Sequence, residues 1–317
     1  MKSLYQMIMP LLVTATFAAG CVASENDGRD QDLHVTDMAT AAPDITEEQT
    51  LRQDAEGGDP DAQCMLGTLY KNGEGVEQDF DEAVRWYRKA AEQGLAEAQY
   101  HMGDSYNHGQ GVTRDYDEAV WWYRRAAEQG YAPAQHRLGQ NYQGGKGVPQ
   151  DNGEALRWYR QAEEQGYAPA QYILGHMYEA GQGVPQDYRQ AVRWYRQAAE
   201  QGHAWGQYKL GTMYYWGKGV PQDNREVLRW YRKAAGQGLA WVQHDLGNLY
   251  YDGKRVPQDL VQAHKWYNLA GSDGDTSART MRRKVERKMT REQVADAQQL
   301  AREWMQAFER QTEPAQR

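Results

Sequence analysis

The pair Trp-Tyr returns at one fixed interval: Trp86-Tyr87, Trp122-Tyr123, Trp158-Tyr159, Trp194-Tyr195, Trp230-Tyr231 and Trp266-Tyr267. Each step is 36 residues, with no insertion or deletion. A period of this length is the signature of a solenoid, in which each unit buries its apolar face only against its neighbours. A chain of 317 residues would otherwise suggest about two globular domains. The repeat replaces that expectation with one elongated domain that has no single central core.

The units start at Gly58, Gly94, Gly130, Gly166, Gly202 and Gly238, and Gly274 opens a degenerate seventh. Each unit carries two helical patterns. In the first, Ala62, Leu66 and Tyr70 are spaced i, i+4, i+8 and recur as Ala98, Met102 and Tyr106, which makes one apolar stripe. A glycine sits inside this helix in every unit: Gly67, Gly103, Gly139, Gly175, Gly211 and Gly247. An interior glycine costs about 1 kcal/mol against alanine, so its persistence predicts a close helix–helix approach. The helix then breaks at Gly73 and its equivalents.

The second helix opens on a capping-box pattern, from Asp79/Glu82 through Asp259/Gln262. The Asp is expected to accept from the amide three residues on, and the Glu or Gln to reach back. Val-Pro at 148–149, 184–185, 220–221 and 256–257 keeps the approach extended. Ala83, Tyr87, Ala90 and Ala91 form the buried stripe, with Trp86 beside it. A glycine at the start of the next unit supplies a left-handed helix end.

These columns resemble the Sel1-like repeat of the tetratricopeptide-repeat superfamily. Ala170-Gln171-Tyr172-Ile173-Leu174-Gly175-His176-Met177-Tyr178 and Gly181-Gln182-Gly183-Val184-Pro185-Gln186-Asp187-Tyr188 carry the likeness, which extends over about residues 57–308. It implies an all-α fold: an α/α solenoid, a right-handed superhelix of six 36-residue helix-turn-helix repeats. It also implies a role in protein interaction. The expected organisation is an N-terminal capping helix at 46–57, opened by Thr46-Glu47-Glu48-Gln49, then six repeats over 58–273. A degenerate repeat and a C-terminal capping helix follow over 274–317. In that last helix Thr290 is the cap, and Val294, Ala297, Leu300, Ala301, Trp304, Met305 and Phe308 form the apolar face. Arg255 replaces a loop glycine, Val227 a core alanine, and Gly206 and Val242 another, so packing is expected to be loosest in units five and six.

Residues 1–20 read as an export signal. Lys2 is the positive end, and an apolar run of 13 residues from Met7 to Ala19 follows, too short to span a bilayer comfortably. Ala18-Ala19-Gly20-Cys21 resembles a bacterial lipobox, which implies acylation of Cys21. Val22 after it points to the outer membrane by the same resemblance. Cleavage near Ala18 or Gly20, giving a soluble periplasmic or secreted protein, is the alternative. Residues 21–45 carry many acids and little periodicity, the composition of a disordered tether.

Net charge is −8, which argues against nucleic acid as a partner. The two cysteines, Cys21 and Cys64, make neither a zinc pattern nor a disulfide framework. No catalytic constellation, cofactor motif or metal pattern stands out. His101, Asp104 and His108 share a helix face, with His176 in the Asp104 column. However, i to i+7 spans about 10 Å along the axis, too far for both histidines to hold one ion. The basic run Arg279, Arg282, Arg283, Lys284, Arg287, Lys288 and Arg291 reads first as a solvated face, and second as a contact for anionic lipid or an acidic partner.

Two functional classes follow. One is a non-enzymatic scaffold, lipid-anchored and facing the periplasm, that binds a protein or peptide. The other is a cell-wall enzyme or enzyme regulator of β-lactam or peptidoglycan type, by analogy with exported relatives whose paired cysteines this chain lacks. For the scaffold, the columns headed by Met65, Thr68 and Asn72 drift from unit to unit and are expected to face away from the core. Near them, units five and six gain Trp205, Tyr215, Trp216, Trp241 and Tyr251, residue types that anchor interfaces. The competing reading has these aromatics fill space left by Gly206, Val242 and Arg255.

Overall fold

A computed structural model of the protein describes residues 47–312. The export signal, Cys21, the acidic tether and Thr46 lie outside the described residues. Within them every regular element is an α-helix. A short α1 (Glu47–Glu56) precedes the array. The first helices of the six units are α2 (Pro60–Asn72), α4 (Ala96–His108), α6 (Ala132–Gly144), α8 (Ala168–Ala180), α10 (Ala204–Trp216) and α12 (Ala240–Asp252). The second helices are α3 (Phe80–Glu92), α5 (Tyr116–Glu128), α7 (Asn152–Glu164), α9 (Tyr188–Glu200), α11 (Asn224–Ala235) and α13 (Leu260–Ser272). The end is closed by α14 (Thr276–Glu286) and α15 (Arg291–Thr312). Each helix of the array packs on the one before and the one after, and α15 packs back on α13. This is an all-α solenoid of helical repeats.

The interior glycines are explained by one contact. A Cβ added to Gly67, Gly103, Gly139, Gly175, Gly211 or Gly247 would lie 2.5–2.8 Å from the ring of the unit's own second-helix tyrosine, Tyr87 through Tyr267. The ring lies flat where a side chain would stand, and five of these six tyrosines are at most 1% exposed. The ring's hydroxyl emerges on the far side of the glycine helix, so the Thr68 column is not free of the core as the sequence suggested. Tyr123 Oη donates to Asp104 Oδ1 at 2.6 Å and Tyr267 Oη to Asn248 Oδ1 at 2.8 Å. The Tyr87 and Tyr231 hydroxyls meet Thr68 and Thr212 at 3.1 and 3.2 Å. In units three and four the partner moves one turn along, to Gln143 and Glu179.

Only half of the expected capping box forms on the second helices. Asp79 Oδ1 accepts from the amides of Asp81 and Glu82; Asp115, Asp151, Asp187 and Asp223 behave alike, and Asp259 accepts from Gln262 alone, each cap stabilising by about 1 kcal/mol. The reach-back is replaced, because the amide of each capping Asp already donates to the carbonyl of Tyr70, Tyr106, Tyr142, Tyr178, Tyr214 or Tyr250 across the intervening loop. Glu82, Glu154 and Glu226 pair instead with Arg85, Arg157 and Arg229. The full reciprocal box occurs at α15. There Gln293 N donates to Thr290 Oγ1 and Thr290 N to Gln293 Oε1.

Two hydrogen-bond ladders tie unit to unit. The buried Gln99 donates to Ala91 O in the preceding helix at 3.1 Å and accepts from Gln129 at 2.8 Å. Gln63, Gln135 and Gln207 repeat both bonds. On the other edge Arg88, Arg124, Arg160 and Arg196 donate to Tyr106, Tyr142, Tyr178 and Tyr214.

The α11–α12 seam between units five and six is the most sparsely packed of the array, as the sequence suggests, yet the core there is continuous. Val227 and Val242 are fully buried, and one apolar cluster runs from Val227 through Trp266 to Val285 and Ala301. There is no gap at Gly206, where an added Cβ would meet Ala198 Cβ at 2.8 Å. The terminal cap extends this cluster: buried His264 meets Glu286 Oε1 at 2.8 Å, and Trp304 stacks on Phe308. Met305 is the exception in the expected apolar face of α15, at 37% exposed.

Candidate interaction surface

Where α10 meets α12, the first-helix face opens into a cleft of about 220 Å³. Its floor is Tyr208 and Tyr231, whose rings stack at 5.1 Å between centroids. Tyr208 Oη donates to Asp245 Oδ2 at 3.0 Å, which orients both groups. Burial, with the Asp245 carboxylate next, pushes the Tyr208 hydroxyl well above its ordinary range, so it stays a donor. One wall is Tyr215 and Trp216, edge to face at 4.8 Å. Asn248 and Asp252 on α12 form the other. The rim carries Lys254 and Arg255, and the Arg255 guanidinium sits 4.4 Å above the Tyr215 ring. The volume falls below the few hundred Å³ of a small-molecule site and matches a single large side chain.

A Sel1 repeat family model matches residues 60–95, 96–131, 132–167, 168–203, 206–239 and 242–275. The chain belongs to the Sel1 repeat family. The Sel1 repeat protein from Oxalobacter formigenes is 35% identical with a TM-score of 0.65, over 70% of this chain and 92% of that one. A protective antigen of uropathogenic Escherichia coli with this repeat fold is 30% identical over 83% of this chain and 79% of that one, at a TM-score of 0.37. An immunity protein from Pseudomonas aeruginosa is 20% identical over 67% of this chain and 81% of that one, at 0.47. A search of curated proteins found no match. Sel1 repeats generally serve protein–protein interaction.

Within this Sel1 frame the five aromatic candidates fall into three places. Tyr215 and Trp216 line the cleft, and Trp216 is 61% exposed. Trp205 and Trp241 lie at the opposite ends of the same two helices and stack at 4.4 Å, with Trp241 also edge-on to Tyr208. Tyr251 is held by the basic run: Lys288 Nζ donates to its hydroxyl at 2.9 Å, and Lys284 and Lys288 both lie over its ring. Other members of that run are engaged as well, Arg279 with Gly271 O and Arg282 with Asn268. Tyr231 stands in the tyrosine column that reads as core, and Tyr208 in a column that the apolar stripe leaves unmarked. The informative signal was Asp245, one turn from Asn248 in two drifting columns.

The structure does not assemble His101, Asp104 and His108 around one point. Asp104 is taken by Tyr123 and by Arg137 Nε at 3.3 Å, and His108 Nδ1 bonds the Asp104 carbonyl oxygen. Cys64 is a free, buried thiol, pushed up to about 12 by burial and by the charges of Glu97 and Asp61.

Proposed function

We propose that this Sel1 repeat protein is a non-enzymatic scaffold of the bacterial cell envelope, holding a protein or peptide partner on the first-helix face of units five and six. The observation that carries this reading is the cleft between α10 and α12, where an exposed Trp216 stands over a floor of hydrogen-bonded tyrosines. Exposed aromatics beside a preformed pocket are what interface anchors require, because little ordering remains to be done on binding. The cleft would accept one large side chain of the partner, and the Trp205–Trp241 stack would extend the contact along the same helices. A photo-crosslinking residue at position 216 should capture one discrete partner in envelope extract, and Tyr208→Phe with Tyr215→Ala should abolish the adduct. An equal adduct from position 121 on the second-helix side would remove the support.

The same proposal places the chain at the outer membrane through lipid on Cys21. The supporting observations are the apolar run from Met7 to Ala19 and the small residues before Cys21. No helix among the described residues is long and apolar enough to cross a membrane. Cys21→Ser, expressed in a Gram-negative host, should move the protein from the membrane fraction to the soluble periplasm. Unchanged fractionation would leave the scaffold without this anchor.

A further inference from the structure

At the junction of the first two units, three side chains of different chemistry converge. Cys64 lies on α2, and Glu97 and His101 are one turn apart on α4. Each offers one ligand atom, and the three atoms lie within 4.8 Å of one another. We infer that Cys64, Glu97 and His101 form a binding site for a zinc-type divalent cation, at the seam between units one and two.

Four observations carry this. The first is spacing. Residues four apart on a helix stand on one face, so Glu97 and His101 present a carboxylate and an imidazole side by side, with the His101 Nε2 3.9 Å from Glu97 Oε1. The second is an unmet requirement. His101 Nδ1 is buried without a hydrogen-bond partner, and its side chain is only 15% exposed. Its Nε2 reaches only Glu97, at a distance too long for a hydrogen bond, so neither ring nitrogen is engaged by the fold and one is available to an ion. The ring is held in place by stacking on Tyr87 at 4.6 Å.

The third is charge. Asp61, one turn before Cys64, acts on both Cys64 and Glu97, while Lys71 acts on Cys64 and His101. Burial and these carboxylates keep the Cys64 thiol protonated in the free chain, so the site holds two carboxylates against Lys71 until an arriving dication displaces the proton. The fourth is local uniqueness. At the next junction the same three places hold Tyr100, Pro133 and Arg137, so the array's packing does not demand these residue types.

A thiolate, an imidazole and a carboxylate together select a borderline-soft ion that accepts tetrahedral geometry. Ligand atoms on such an ion stand about 3.5 Å apart, so the site must draw in by about 1 Å. Glu97 can make that movement, its side chain being 56% exposed. Asp61 or water completes the coordination. Binding releases the thiol proton and ties unit one to unit two.

The test is a titration of the full chain with cobalt(II), which reports a bound thiolate through a sulfur-to-metal charge-transfer band. One equivalent should produce that band together with the visible bands of a tetrahedral ion, and zinc should displace them. The band should persist in Cys21→Ser and vanish in Cys64→Ser. Glu97→Gln, a change at an exposed side chain that leaves folding intact, should weaken binding about tenfold or more. A chain that gives no band, or a band that survives Cys64→Ser and disappears in Cys21→Ser, overturns the site. So does unchanged cobalt affinity in both Glu97→Gln and His101→Gln, which covers the case in which Cys64→Ser does not fold.

Discussion

Units two to four and units five and six share one set of columns and put them to different use. In both regions a tyrosine lies on a glycine and a buried glutamine links one helix to the next. Units two to four carry Glu97, Pro133 and Pro169 at the second position of the first helix, and Asn107, Gln143 and Glu179 near its end. Units five and six carry Trp205 and Trp241, then Tyr215 and Tyr251, in those places. The family model begins late in the last two repeats, at 206 and 242, and passes over both tryptophans. The departures sit outside the columns that all six units share, and they pack chiefly on one another and on the terminal cluster. The fold is held by a few columns, and the remaining face is free to vary.

The largest effect should come from breaking a column common to both regions. Tyr195 is fully buried on Gly175, and its hydroxyl donates to Glu179. Tyr195→Ala should cost about 3–5 kcal/mol, from lost burial and the cavity left behind. Urea denaturation followed by circular dichroism measures it. Tyr215→Ala, half-buried against the neighbouring cluster, should cost less than half as much. Equal costs would erase the distinction between a column of the frame and one of the variable face.

A smaller effect tests whether the glutamine ladder is one device along the array. Gln135→Ala and Gln207→Ala each remove a buried side chain that donates to a helix carbonyl and accepts from the glutamine 30 residues on. Each should cost about 1–3 kcal/mol, because the deserted carbonyl stays buried. Matching values in units three and five would show that the frame continues unchanged beneath the aromatic surface.

Acid tests one column that the two regions fill with different residues. His136 in unit three occupies the column that holds Tyr208 in unit five. Burial, with Arg137 and His203 nearby, pushes the imidazole down to about 3. Its unfolded value is about 6.5, so below that pH the unfolded chain binds a proton that the folded chain refuses. Stability should fall by about 2 kcal/mol between pH 8 and pH 5 on account of this residue. His136→Tyr, which installs the residue of unit five, should flatten that part of the profile.

Fold and site were legible in the sequence to different depths. The Trp-Tyr period and the interior glycines announced the solenoid, since each column repeats the same steric demand. What lay on each glycine was not legible, because the ring comes from 20 residues further on. Only half of the capping box follows from the sequence for a similar reason: the amide of Asp79 is satisfied by Tyr70 across a loop. The glutamine ladder is not legible although Gln63 and its equivalents never vary, because glutamine is a residue type of surfaces. Tyr215 and Trp216 stood out as departures, yet the stacking of Trp205 on Trp241 depends on two units being brought together. Cys64, Glu97 and His101 were invisible as a set for the same reason.

The smallest effect on stability is the most informative for the surface. Trp122 and Trp216 are both tryptophans on array helices, but Trp122 is 4% exposed and Trp216 is 61% exposed. Trp122→Ala should cost about 3–5 kcal/mol. Trp216→Ala should stay within about 0.5 kcal/mol of the parent, since it stands clear of the features whose loss destabilises. It touches Tyr215 edge-on and otherwise faces the cleft and solvent. A large aromatic side chain left exposed beside a cleft has its surface available to bury on a partner, which is how interface anchors contribute. Trp216→Ala should therefore lose the crosslinked partner at unchanged thermal midpoint. A fall of several degrees with binding intact would mean that the ring serves the packing of α10 on α12, and units five and six would then differ from the others in architecture alone.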